Sequence, residues 1–144
     1  LDGIMSPPWR LNTNNEDTME ITRLDHFVLT VKDLQKTVAF YTQVMGMKEV
    51  RFGEGRIALE YGQQKINLHE LGNEFEPKAQ NVREGSADLC FITQTPLEDA
   101  MTHVREQGVE LLEGPVKRTG AQGPILSFYF RDPDGNLIEV SNYL

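Results

Sequence analysis

The sequence predicts an α+β fold in which two βαβββ modules form one cup-shaped mixed sheet, and three observations carry that prediction. A strand–helix–strand–strand–strand order occurs twice, a glycine stops each helix, and fixed offsets carry polar residues of the first run onto polar residues of the second.

The first module opens near Ile21. Leu24-Asp25-His26-Phe27-Val28-Leu29-Thr30-Val31 is rich in β-formers, and Asp33 just beyond it suits the N-cap of a helix over residues 34–45. Gly46 ends that helix. Short β-type runs at 48–52, 56–61 and 65–70, set apart by Gly53, Gly55 and Gly62, read as a three-strand meander. After a polar stretch containing Pro77 and Gly85 the order recurs: a strand at 88–93, a helix over about 96–107, a stop at Gly108 and a strand at 109–112. The last two strands, 125–131 and 136–143, flank the turn Asp132-Pro133-Asp134-Gly135. The modules are therefore expected at about 21–72 and 86–144, within one domain spanning 21–144. Residues 1–20, with Pro7-Pro8, Asn12 and Asn14-Asn15 and no apolar periodicity, read as a disordered arm or cloning remnant.

The repeat is numerical. Adding 62 carries His26 to Asp88, Val31 to Thr93 and Gly46 to Gly108. Adding 70 carries Gly53 to Gly123, Ala58 to Phe128 and His69 to Glu139, and the 8-residue difference is assigned to a loop around Pro115 to Gly120.

Length and composition bound the function. A chain of 144 residues supports one core, and 39% hydrophobic residues with seven Phe and four Tyr is globular composition. A formal charge of -8 without a basic run removes the usual driving force for nucleic-acid binding. No apolar stretch approaches the ~20 residues of a membrane span and the front end lacks a secretory pattern, so a cytoplasmic protein without membrane contact is expected. Cys90 is the lone cysteine, which excludes an intrachain disulfide and a Cys-rich zinc site.

The repeat places His26 with Asp88 on first strands and His69 with Glu139 on last strands. Alternation along a strand puts His26 on the face of Leu24 and Val28, and Glu139 on that of Leu137 and Ser141, so both ionisable groups have apolar neighbours. Imidazole and carboxylate together suit one divalent ion, Zn, Ni, Fe or Mn, and binding it would offset the cost of burying charge. Singly, each residue has an ordinary reading, a satisfied strand histidine or a solvated acid; their joint placement is what favours the metal.

The stretch Leu24–Val31, the helix end from Phe40-Tyr41 to Gly46-Met47, and Phe130-Arg131-Asp132-Pro133-Asp134-Gly135-Asn136-Leu137-Ile138-Glu139 resemble the vicinal oxygen chelate superfamily, over about 21–143. Asn67-Leu68-His69-Glu70, Phe75-Glu76-Pro77-Lys78-Ala79 and Gly114-Pro115-Val116-Lys117-Arg118-Thr119-Gly120-Ala121 are most similar to the glyoxalase-domain-containing protein 5 group and bacterial virulence-associated relatives. The resemblance implies a first-strand metal ligand at His26, a last-strand ligand at Glu139, and His69 where glyoxalase I has a glutamate; Asp88 stands in place of the usual histidine.

It also implies a glyoxalase I-like isomerase or lyase acting on a small oxygen-chelating substrate, with Glu139 as the base. Asn67, Lys117 and Arg118 are the candidate substrate contacts, and a homodimer is expected, with the open question of whether His26 and Glu139 of one cup come from different chains. An extradiol-type dioxygenase is the enzymatic alternative, because two histidines and a carboxylate also describe a non-haem iron triad. A metal-free antibiotic-binding protein is the alternative from another class. His103 is expected on the solvated face of its helix, and Cys90 as a small core filler.

Overall fold

The structure, a computed structural model, describes residues 18–144. Two four-stranded sheets, each backed by one helix, make up the fold. The first module runs β1 (His26–Val31), α1 (Leu34–Gln43), β2 (Lys48–Phe52), β3 (Arg56–Tyr61) and β4 (Gln64–Glu70). The second runs β5 (Asp88–Ile92), α2 (Leu97–Glu106), β6 (Glu113–Gly120), β7 (Gly123–Arg131) and β8 (Leu137–Tyr143). Strand orders are β1-β4-β3-β2 and β5-β8-β7-β6, so in each sheet a parallel pair is followed by an antiparallel meander. The predicted arm lies outside the described residues except for residues 18–20, which form no element. No helix of the described residues is long and apolar enough to cross a membrane.

Local chemistry explains the boundaries. Asp33 caps α1, its Oδ1 accepting from the Lys36 amide at 3.0 Å, and Gly46 takes the left-handed conformation that the chain needs to leave the helix. The helix-facing sides of both sheets share one core that includes Leu29, Val31, Leu59, Ile66, Phe128, Phe130 and Ile138. Tyr41 of α1 crosses to the second module, donating a 2.7 Å hydrogen bond to Oδ2 of buried Asp132, whose Oδ1 accepts from the Asp134 and Asn136 amides. The turn Asp132-Pro133-Asp134-Gly135 thus anchors the first helix as well as joining β7 to β8.

The structure corrects two sequence expectations. Residues 109–112 are not a strand, and the loop expected around Pro115 to Gly120 is strand β6. β6 is the edge of its sheet, where Pro115 leaves no ladder hydrogen bond unmade, and a register shift between Glu113 and Val116 absorbs the proline. Composition alone resembled a loop because its glycines serve close approach: a Cβ on Gly114 would lie 2.5 Å from Phe128 Cβ. The repeat offset changes too. His26 pairs with Lys65 and Asp88 with Leu137, so β4 maps onto β8 with an offset of 72 and the counterpart of Glu139 is Asn67, not His69.

Candidate functional site

Each sheet turns one face to the helices and leaves the other open. On the first sheet the open face carries His26, Val28 and Thr30 from β1 and Lys65, Asn67 and His69 from β4. On the second it carries Asp88, Cys90 and Ile92 from β5 and Leu137, Glu139 and Ser141 from β8. Val28 and Ile92 remain 45% and 48% exposed, large apolar side chains on the open faces of the two edge strands.

His26 is exposed, with Nδ1 2.9 Å from Asp25 Oδ1. That hydrogen bond is the main reason the Asp25 carboxyl sits below its ordinary range. A carboxylate on Nδ1 fixes the ring and its tautomer and leaves Nε2 as the electron-pair donor, the arrangement a metal-binding histidine needs.

Glu139 is held from below. Its Oε2 accepts a 2.6 Å hydrogen bond from Ser127 Oγ, and Ser127 and Ser141 hydroxyls lie 2.6 Å apart, both fully buried. The carboxylate faces a cavity of about 390 Å³ lined by Asp88, Leu112, Glu113, Arg118, Tyr129, Leu137 and Glu139. Arg118 Nε donates to Tyr129 Oη at 2.9 Å, and Arg118 also pairs with Glu113 at 3.4 Å. Burial raises the Tyr129 phenol, the Arg118 hydrogen bond opposes this, and the Glu139 charge adds to it. Arg118 therefore stands in the cup, whereas Lys117, one residue earlier on β6, is on the opposite face opposite Leu126.

His69 is 2% exposed, and its Nε2 lies 3.4 Å from an Arg56 guanidinium nitrogen. Its ring meets Phe75 edge-on at 5.4 Å between centroids. Burial, and then the Arg56 charge, push its pKa down. His69 Nδ1 and Asn67 Oδ1 are buried without a hydrogen-bond partner. Cys90 sits on the open side of β5 rather than in the core, 3.4 Å from Ser141 Oγ, and partial burial pushes its thiol up. His103 is exposed as expected, but also bonds the Val44 carbonyl at 3.0 Å, tying α2 to the first module.

The donor types fit a divalent ion: an oriented imidazole, two carboxylates, and an orphaned amide oxygen at Asn67. Their arrangement in a single chain does not, because among the described residues no group of three or more His, Cys, Asp or Glu comes together. His26, Asn67 and His69 form one half, Asp88 and Glu139 the other. Ser127 and Tyr129 were not picked out from the sequence; their position opposite Ser141 and Glu139 becomes visible only once β7 and β8 are in register.

Paired βαβββ modules with polar, donor-bearing open faces define a class of small cup-shaped domains that present ligand groups from strands. The chain belongs to the Glyoxalase/Bleomycin resistance protein/Dioxygenase superfamily, which it matches over residues 23–140. It is 54% identical over 136 residues to a glyoxalase domain-containing protein of Mycosarcoma maydis, covering 94% of this chain and 76% of that one. It is 55% identical to a virulence protein of Salmonella typhimurium over 88% of each chain. A solved integron cassette protein from the mobile metagenome of V. cholerae is 73% identical and superimposes with a TM-score of 0.87, covering 88% of this chain and 99% of that one. More distant relatives, at 28% and 29% identity over 83% and 82% of this chain, are named metallothiol transferase and lactoylglutathione lyase.

Proposed function

We propose that this protein is a divalent-metal-dependent enzyme of the glyoxalase I type, an isomerase or lyase acting on a small substrate that presents neighbouring oxygens. The observation that carries the reading is Glu139: a carboxylate fixed by Ser127 at 2.6 Å on the wall of a cavity of about 390 Å³. A carboxylate so placed, accepting on one oxygen from a buried hydroxyl, is positioned to take and return a proton at a substrate carbon. Tyr129, hydrogen-bonded by Arg118, stands beside it to orient a substrate oxygen.

A metal held by His26, Glu139 and Asp88 would supply Lewis-acid stabilisation of an oxyanion. Because one chain keeps His26 apart from the carboxylates, the reading requires a homodimer in which the open first sheet of one copy faces the open second sheet of its partner. The exposed Val28 and Ile92, flanking the two half-sites, are the apolar contacts that such a pairing would bury. Asn67, in the place equivalent to Glu139, adds an amide oxygen to the first half. His69 is a poorer ligand, since a guanidinium occupies its Nε2 side.

The test is metal per chain by elemental analysis on untagged protein after reconstitution with Zn²⁺, Ni²⁺, Mn²⁺ and Fe²⁺ in turn, with sedimentation in parallel. Near-stoichiometric metal in a dimer, lost in His26→Ala and in Glu139→Ala, supports the enzyme and directs the screen to dicarbonyl–thiol adducts and then catechols. That no three donors come together among the described residues of one chain favours a second reading, a metal-free small-molecule binder, and a protein that takes up none of the four metals would establish it over the first.

A further inference from the structure

We propose that the open face of the first sheet contains an oxyanion subsite, in which Arg56 and Lys65 receive the carboxylate or phosphate group of the substrate and the Nδ1–H of His69 an adjacent hydroxyl oxygen. The inference deepens the proposed function, resting on the cup as a substrate site, but it does not depend on a metal.

Three observations converge. The first is two cations on one sheet face without an ion pair, in a chain of net charge -8. Among the described residues neither Arg56 nor Lys65 makes an ion pair with a carboxylate; Lys65 feels Asp25 only at longer range, and Glu60, directly across from Lys65, makes no ion pair with it. The second is positioning. The Arg56 guanidinium lies 5.0 Å from the Phe52 ring centroid and 4.7 Å from that of Phe75, and Lys65 Nζ lies 3.8 Å from that of Phe52. Two cations are therefore held against one ring, where aromatic faces stabilise them without neutralising them. The third is an orphaned donor. A guanidinium can only donate, so the 3.4 Å contact from Arg56 makes His69 Nε2 an acceptor and places the proton of the neutral ring on Nδ1. That N–H is buried and has no acceptor. A buried, unpaired donor is costly, and because it points away from Arg56 the group that would satisfy it is a second oxygen of the ligand, a hydroxyl next to the anionic group that Arg56 and Lys65 hold. Asn67 Oδ1, the neighbouring orphan, is an acceptor and would take a hydroxyl hydrogen from the same ligand. The chemical class is thus a small oxyanion with an adjacent hydroxyl.

The test uses the full chain, metal-free, titrated at fixed ionic strength with inorganic phosphate and separately with acetate, against chloride. The Arg56 Nε–Hε and His69 ring signals are followed by NMR. Saturable shifts of both signals by phosphate, by acetate or by both are expected, and which anion saturates first tells phosphate from carboxylate. Loss of one charged hydrogen bond corresponds to about a tenfold weakening, so Arg56→Met and Lys65→Met should each weaken binding at least that much. Arg51→Met, which removes an equal charge paired to Glu49 on the same sheet, should leave it unchanged. Shifts that stay linear and match chloride, or saturable binding that survives Lys65→Met and Arg56→Met, would overturn the subsite. If Arg56→Met fails to fold, Lys65→Met carries the comparison. Saturable anion binding by a protein that takes up no metal would keep the subsite and reject the enzyme reading.

Discussion

Ser127 was a silent residue in the sequence, and in the fold it sits at the centre of the second half-site. Its hydroxyl is fully buried and lies 2.6 Å from both Glu139 Oε2 and Ser141 Oγ. Removing it leaves a carboxylate without its support, so Ser127→Ala should cost about 1–3 kcal/mol, the usual range for a buried group losing a charged partner. Urea denaturation measures this, and a midpoint unchanged from wild type would show that water replaces the hydroxyl. His69 gives a prediction with a sign. Burial and Arg56 depress its folded pKa, so its contribution is complete above the unfolded value of about 6.5. As pH falls below that value the unfolded chain takes up a proton that the folded chain refuses, and stability declines until the folded pKa is reached. Metal-free wild type should therefore lose more stability than His69→Gln between pH 7.5 and 5.5, by at most about 1.4 kcal/mol per pH unit; parallel curves would show that His69 titrates normally. The sequence made His26, His69, Asp88 and Glu139 visible because ionisable residues among alternating apolar ones stand out. Arg56 and Lys65 were hidden, since a cation in a strand looks like ordinary solvated polarity until its neighbours across the sheet are known.

At the scale of elements, the helices and most strands were legible from local chemistry. Asp33 and Gly46 bracket α1, and β2 and β3 fall where the β-formers between glycines put them. β6 was not legible, because Gly114, Pro115 and Gly120 are loop residues everywhere except in an edge strand packed tightly on its neighbour. That shift moved the expected loop and with it the counting that paired His69 with Glu139. Only the ladders, Val28 to Asn67 and Cys90 to Glu139, place Asn67 in the equivalent position. The close approach yields its own test. Gly114 has φ +127 and a Cβ there would stand 2.5 Å from Phe128 Cβ and 2.8 Å from the Ser127 carbonyl. Gly114→Ala must displace β6 from β7, next to the residue that holds Glu139. A loss of about 1–3 kcal/mol is expected, as for other over-packed core positions. Gly108→Ala, with nothing within 4 Å but φ +83, separates backbone strain from the clash. Equal losses in the two variants would mean that conformation alone sets the cost at Gly114.

At the scale of the whole molecule, the modules are joined on the helix side and open on the other. Tyr41 is fully buried in α1, and its hydroxyl reaches the β7–β8 turn of the other module, where Asp132 Oδ2 accepts from it and from Asn136 Nδ2, each at 2.7 Å. Burial and the Asp132 charge push the phenol far above its ordinary pKa, so it remains a donor throughout the accessible pH range. Among the described residues the Lys32 amide to Asp134, which is exposed, and His103 to the Val44 carbonyl, which is partly buried, are further polar ties between the modules. Tyr41→Phe keeps the ring and its edge-on contact with Phe40 and removes only the oxygen. It leaves a buried carboxylate one donor short, which should cost about 1–3 kcal/mol. Because that bond spans the modules, the loss should also appear as faster proteolysis in the long connection at residues 71–87, where the two modules separate. A variant equally destabilised within one module, such as Asp33→Ala at the α1 cap, should not show the same increase at matched temperature below unfolding. If Tyr41→Phe loses stability without the added cleavage, the hydrogen bond supports the local turn alone, and the shared apolar core is what keeps the two sheets in position to form the cup.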